Sequence, residues 1–297
     1  MQCDVLVVGG GPAGLSAAVV LARAGRSVQL FHEGDTRNHR SRTIHNYLGC
    51  AGISPKAFHT RAWAEAEQAG AHLHRQRITD VRPVPDGFEV ADASGAQWKA
   101  RFVLLATGLV DLLPDIPGSE ASYGTSIFHC PYCDAAPWMD KALAAYGPGA
   151  NATGLAMTLR GWSRNVTAFT LGLPVPRIQR SRLEELGIRV VEEEVLAFEH
   201  IHGSLQAVRT KNTVIPTDAL FFNTETSQAS DLPTRLGCAF ASSGAIKVDA
   251  QQRSSVPGVY VAGDAGLHTH LVSVAAAEGA KAAIAMNKAL LASGHHR

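Results

Sequence analysis

No excess of either charge marks this chain: 27 Lys and Arg stand against 26 Asp and Glu across 297 residues. Without a basic surplus there is no electrostatic footprint for nucleic acid or for an anionic lipid surface, so neither partner is expected. No apolar run reaches the ~20 residues of a membrane span. Met1 leads within two residues into a strand-like stretch, and Met-Gln-Cys-Asp lacks the basic segment that opens a secretory leader. Cysteine is scarce and odd in number, at Cys3, Cys50, Cys130, Cys133 and Cys238. That is no secreted disulfide framework. One close pair remains, and a cytoplasmic protein in which that pair is chemical is expected.

What the chain has is apolar residues (46%) and glycine (28 residues), with charged residues at 18%, below the usual ~25%. The length is about twice the ~150 residues of a typical domain. Cys3–Val8 reads as a strand, Gly9-Gly10-Gly11 as a tight turn, Pro12–Ala24 as a helix and Ser27–Phe31 as a second strand, which together make one βαβ unit. Ser54–Ala69 is an amphipathic helix. Ile78–Ala100 alternates around Pro85-Asp86-Gly87 as antiparallel ribbon, and Phe102–Ala106 is a buried strand. After a Pro-rich linker, 113–118, the pattern restarts with Ala142–Tyr146, the turn Gly147-Pro148-Gly149, a helix over Asn151–Trp162 and a strand over Asn165–Thr170. Asp249 to Gly263 returns to strand, and Val272–Leu291 is an Ala-rich helix. The expected fold is α/β with two Rossmann-like dinucleotide-binding domains, the second inserted in the first. The boundaries expected are 1–114 with 236–297, and 115–235.

Gly9-x-Gly11-x-x-Gly14 lies between a strand and a helix, where one glycine makes the turn, one admits a pyrophosphate and one lets helix and strand pack closely. The helix end offers free N–H groups to the anion. Gly9, Gly11, Pro12, Ala13 and Gly14 are therefore the candidate cradle. A carboxylate at the end of the second strand binds the ribose in such sites. Here His32 stands at that place and Glu33 follows it, so either could serve.

Cys130-Pro131-Tyr132-Cys133-Asp134 places two thiols at a spacing that closes a small reversible disulfide and lowers the pKa of one of them. Asp134 is placed to hold the proton that enters or leaves the distal thiol, provided burial raises its pKa toward neutrality. A zinc site would need two further ligands. His129 is adjacent, but no second CxxC or HxxxH follows, so no metal is expected.

Ala106-Thr107-Gly108 and Gly258-Val259-Tyr260-Val261-Ala262-Gly263-Asp264 resemble the ATG and GVYVAGD segments of two-dinucleotide-domain flavoproteins. That resemblance implies FAD, with Thr107, Gly108, Gly263 and Asp264 among its ligands and Asp264 on the ribityl chain. Fingerprint first, CxxC in the second domain and GVYVAGD last is the order of low-molecular-weight thioredoxin reductases, which the chain resembles along nearly its whole length. The Phe128–Cys133 segment and Ala275-Ala276-Ala277-Glu278-Gly279 are similar to a side branch that includes dithiol oxidases of holomycin and gliotoxin type. In those enzymes His follows the second Cys; Asp134 is closer to the reductases. The resemblance implies that Cys133 lies nearest the flavin and that Cys130 exchanges with the partner. It also implies that the enzyme is a homodimer and that the partner is a thioredoxin-like protein or a small dithiol. A small-molecule dithiol oxidase using O2 is the alternative. Asn46 resembles a residue near FAD in the reductases, or is a turn residue. His270 either meets the flavin pyrimidine edge or is a capping or surface residue.

Gly147-Pro148-Gly149-Ala150-Asn151-Ala152 fits a second GxGxxA turn. Thioredoxin reductases grip the 2′-phosphate of NADPH with a His-Arg-Arg run after the following strand; here that place reads Thr170-Leu171-Gly172. Losing two charge-assisted hydrogen bonds costs about 3–6 kcal/mol, on the order of 10²–10⁴ in affinity. Weak or absent NADPH binding is expected, unless another loop route brings Arg177 or Arg180 round. The electron donor is left open. Cys3, Cys50 and Cys238 read as small core residues, Glu192-Glu193-Glu194 as a solvated face, and His295-His296-Arg297 as a frayed end.

Overall fold

The computed structural model describes residues 1–266 and 269–294; the tail His295-His296-Arg297 lies outside them. Along the chain, β1 (Gln2–Val8) leads into α1 (Pro12–Arg23), β2 (Val28–Phe31), α2 (Pro55–Gln68) and β3 (His72–His74). An antiparallel meander follows, of β4 (Ile78–Val84), β5 (Gly87–Asp92) and β6 (Gln97–Leu105), and then β7 (Leu109–Asp111). Next come α3 (Ser119–Ser122), β8 (Ile127–Phe128), α4 (Pro131–Asp134), β9 (Leu143–Tyr146) and α5 (Ala150–Leu159). They are followed by β10 (Val166–Phe169), α6 (Arg177–Glu185), β11 (Arg189–Val191), β12 (Val195–Ile201), β13 (Ser204–Thr210), β14 (Val214–Pro216) and β15 (Ala219–Phe222). β16 (Thr226–Gln228), α7 (Leu232–Arg235), β17 (Val259–Val261) and α8 (Val272–Ala292) complete the order.

These elements form two compact units: Met1–His39 with Asn46–Val110 and Ser227–Arg297, and Arg40–His45 with Asp111–Thr226. The boundaries differ from the expected 114/115 and 235/236. The two crossing segments, β7 and β16, pair as a two-stranded ribbon. The Pro-rich stretch, expected as a linker, belongs to the second unit: the Phe198 N–H donates to Pro117 O at 2.8 Å.

In the first unit the strand order is β3-β2-β1-β6-β5-β4, with β17 also on β6. The expected ribbon and buried strand merge there, because β6 is long enough to serve twice. Its first residues pair antiparallel with β5, and Val103–Leu105 pair parallel with β17. The pleat divides β1 between two cores, Val5 and Val7 with α1 and α8 on one face, Leu6 and Val8 with Val103 and Leu105 on the other. The stretch from Asp249, expected as strand, is mostly turn. Asp249 Oδ1 accepts the N–H groups of Gln251 and Arg253, and this local turn competes with a sheet ladder.

The second unit is a five-stranded parallel sheet, β11-β10-β9-β15-β8, accompanied by the three-stranded antiparallel β12-β13-β14. Leu143 and Ala145 face one core, Ala144 and Tyr146 the other.

Two helical glycines give opposite expectations. A Cβ at Gly279 in α8 would overlap the Ala13 carbonyl, so the close approach of α1 and α8 depends on its absence. Gly154 in α5 is exposed, and a Cβ there meets no described residue within 4 Å. Gly279→Ala is expected to destabilise by about 1–3 kcal/mol through overpacking. Gly154→Ala is expected to stabilise by about 0.5–1 kcal/mol through helix propensity. Urea midpoints of the two variants against wild type measure both signs.

Candidate active site and cofactor cradle

The first glycine turn follows β1 directly. Gly9 has φ +113°, open to glycine at little cost, and a Cβ there would overlap the Ala106 carbonyl. A Cβ on Gly14 would overlap the carbonyl oxygen of Gly9. At Gly11, by contrast, no described residue lies within 4 Å of where a Cβ would stand. Gly11 is also the N-cap of α1 and supplies no side-chain cap, with Pro12 and Ala13 next. Open space at an uncapped helix N-terminus is the arrangement that receives a diphosphate. Thr107, whose backbone N lies 3.2 Å from the Gly9 Cβ position, has a buried Oγ1 with no hydrogen-bond partner among the described residues. An orphaned hydroxyl beside an open glycine turn fits a polar ligand there.

Gly263 and Asp264 follow β17. The Cβ position of Gly263 lies 2.9 Å from Ala13 Cβ, so this segment meets the first turn of α1. The Gly263 N–H donates to Glu278 Oε2 at 3.0 Å, and Gln252 Nε2 donates to Oε1 at 3.2 Å. Glu278 is only 6% exposed, and burial raises its pKa. Asp264 does not cap α8, whose N-cap is Leu271; its Oδ2 instead accepts from Arg37 Nη1 at 2.9 Å. Glu278, Gln252 and Arg37 are not among the site residues the sequence predicts. A single acid inside the Ala-rich helix is the one signal that could have found Glu278.

At the end of β2, the His32 ring lies against Gly10, 2.6 Å from its Cβ position to His32 Cγ. Burial, with His59 and Arg75 adding to it, pushes the His32 pKa down to about 4. His59 on α2 places Nε2 3.0 Å from the Gly10 carbonyl. Glu33 is exposed, with Arg77 Nε 3.7 Å from its carboxylate. Asn46 is exposed in the loop before α2, Gly108 carries φ +72°, and His270 is half-buried one residue before the N-cap of α8.

The cysteine pair lies in the second unit. Cys130 and Cys133 are joined by a disulfide, with Cα atoms 5.3 Å apart. Pro131 starts the single turn of α4, Cys130 caps it, and the Cys133 N–H donates to Cys130 Sγ at 3.2 Å. That N–H favours negative charge on Cys130 when the disulfide opens. Asp134 is half-buried, and loss of water pushes its carboxyl up to about 7. Beside the pair, Tyr123 Oη donates to Asp111 Oδ2 at 3.0 Å and lies 3.4 Å from His129 Nδ1. Cys3 and Cys238 are buried and Cys50 half-buried; burial takes the Cys3 thiol up to about 12. Among the described residues no group of three His, Cys, Asp or Glu side chains is gathered for a metal, and no helix is long and apolar enough to cross a membrane.

The second glycine turn differs from the first. The Cβ position of Gly149 lies 3.7 Å from Leu173 Cβ, and the Gly149 N–H donates to Thr170 O at 3.3 Å. Thr170 Oγ1 donates to Leu173 O at 2.7 Å, which holds the loop after β10 over the turn. Thr153 Oγ1 donates to Gln179 Oε1 at 3.0 Å. Arg180 pairs with Glu192, which also accepts the Val175 N–H at 3.1 Å, while Arg177 is exposed. Glu192 and Glu193 are thus not a solvated face: both are half-buried acceptors, Glu193 for Thr210 and Asn212.

A model of the family "Pyridine nucleotide-disulphide oxidoreductase" matches residues 3–279. A probable thioredoxin reductase of Arthroderma benhamiae is 30% identical over 297 residues, covering 88% of this chain and 74% of its own. Thioredoxin reductase tcpT of Claviceps purpurea is 30% identical over 284 residues, covering 89% and 86%. The crystal structure of HlmI superposes with a TM-score of 0.94 at 33% identity, covering 99% of this chain and 94% of that one.

Proposed function

Given that the chain belongs to the pyridine nucleotide-disulphide oxidoreductase family, we propose that this flavin disulfide oxidoreductase exchanges electrons with a dithiol through Cys130 and Cys133 without drawing on a pyridine nucleotide. The observation that carries the reading is the loop after β10. The Thr170 carbonyl already accepts the Gly149 N–H, Leu173 lies in van der Waals contact with the turn, and Glu192 engages Arg180. A dinucleotide diphosphate needs free N–H groups at the turn, and one that a backbone carbonyl already holds is not offered to it. The first turn does fit FAD, and Gly9, Gly11, Pro12, Ala13, Gly14, Thr107, Gly108, Gly263 and Asp264 would hold it, with Glu33 or His32 toward the ribose and Asn46 and His270 as further candidates.

Bound FAD would supply the two-electron acceptor, with O2 or another oxidant as the final sink. The chain's own residues do the thiol chemistry. A partner thiolate attacks Sγ of Cys130, the Cys130–Cys133 bond breaks, and a mixed disulfide forms at Cys130 while Cys133 leaves as thiolate. The partner's second thiolate then displaces Cys130, so the partner leaves oxidised and the pair is left reduced. The Cys133 N–H stabilises a Cys130 thiolate, and Asp134, titrating near neutrality, gives and takes the proton that the pair exchanges.

Tyr132, between the cysteines, is 67% exposed and stacks edge-on with Trp162 at 5.4 Å. This aromatic surface favours a thioredoxin-like protein as partner over a small dithiol. The family resemblance supports a homodimer, and three thiols outside the pair support a reducing, cytoplasmic setting. Anaerobic titration of the purified flavoprotein tests the reading. Dithiothreitol is expected to bleach the flavin, and neither NADPH nor NADH to do so at stoichiometric concentration. Rapid stoichiometric bleaching by NADPH would show that the loop opens and that the chain is a nicotinamide-driven reductase.

A further inference from the structure

The first unit contains an ion pair that neither the glycine turn nor the cysteine chemistry explains. Arg37, in the 3-10 turn Arg37–Arg40, reaches Asp264 across 227 positions of sequence at 2.9 Å. The side chains are 12% and 20% exposed. Withdrawing a guanidinium and a carboxylate from water to pair them gains little net stability, so such a pair points to a role in what binds beside it.

The neighbourhood supplies that role. Asp264 follows Gly263, which meets Ala13 in the first turn of α1, and Glu278 accepts the Gly263 N–H. Two carboxylates thus stand close to the helix end that Gly9–Gly14 offers to a diphosphate. An unneutralised carboxylate there repels the anion that the helix end attracts. Glu278 accepts the Gly263 and Gln252 N–H groups, and Arg37 is the cation on Asp264. Arg37 engages Oδ2 of Asp264 at 2.9 Å.

We propose that Arg37 is a cofactor-holding residue, whose guanidinium neutralises Asp264 so that the first glycine turn accepts the diphosphate of FAD. This rests on the reading that FAD occupies that turn. FAD is stripped from wild type, R37Q, R37M, R37K, D264N and R37Q/D264N, and its Kd on rebinding is read from flavin fluorescence. R37Q is expected to bind FAD about 10- to 100-fold more weakly than wild type, and R37K to recover most of the loss. In the D264N background R37Q should add less than about threefold, because the charge it balanced is gone. R37M, which keeps the apolar stem, replaces R37Q if circular dichroism shows that variant unfolded. A Kd for the neutral variants within about threefold of wild type, or an undiminished penalty in the D264N background, overturns the proposal. Wild-type apoprotein that takes up no FAD would instead remove the underlying reading, and this proposal with it.

Discussion

Replacing Cys130 by Ser is expected to lower dithiol turnover by at least about 10³-fold, because no other group in the unit supplies a sulfur that can be attacked. Cys133→Ser should be as severe in turnover but different in kind. Cys130 caps α4 and takes the Cys133 N–H, so as a lone thiol it keeps the contact that favours its thiolate. It can form a mixed disulfide with the partner, and without Cys133 nothing resolves that bond. Incubating each variant with an oxidised partner and reading intact mass distinguishes the roles. An adduct on the Cys133→Ser protein and none on Cys130→Ser is the expected result; the reverse would exchange the assignments. Both variants should retain bound flavin, since the cradle lies in the other unit.

Asp134→Asn is expected to cost about 10²-fold in turnover and to remove a titration near neutrality from the pH–rate profile. Burial lifts this carboxyl to about 7, so around neutral pH it is both a proton donor and an acceptor. The same shift has a stability consequence. A carboxyl whose folded pKa is raised holds a proton, between its unfolded value and about 7, that the unfolded chain has lost. Its contribution is therefore most favourable at acid pH and declines as pH rises through about 7. Asn carries no such dependence. Urea midpoints at pH 5 and pH 8 should show wild type losing stability relative to Asp134→Asn over that interval. Parallel curves would mean that Asp134 is ionised throughout and does not carry the proton.

The parts of the molecule legible in the sequence are those that glycine and cysteine chemistry forces. Gly9 and Gly14 are irreplaceable because a Cβ would strike backbone, and such positions cannot be disguised by another residue type. Cys130 and Cys133 declare themselves by spacing. Arg37, Glu278 and Glu192 do not, because each finds its partner through tertiary packing, and no local pattern encodes that meeting. The β12–β13 hairpin had a usable signal in the turn His202-Gly203, both with positive φ, between two alternating runs. Asp249 misled in the other direction. Its apolar neighbours suggest a strand, but its carboxylate folds the segment into a turn.

The division of the chain also sets an order of synthesis. The disulfide-bearing unit is complete once Thr226 has emerged from the ribosome, whereas the cofactor unit still lacks β17 and α8. Gly263 after β17 and Gly279 in α8 both meet Ala13 in the first turn of α1, so the cradle closes only when β17 and α8 have emerged. Cys130 and Cys133 are therefore folded before any flavin can be captured. At birth their oxidation state is set by the thiol pool around the ribosome, and the enzyme takes charge of its own disulfide only after α8 has docked.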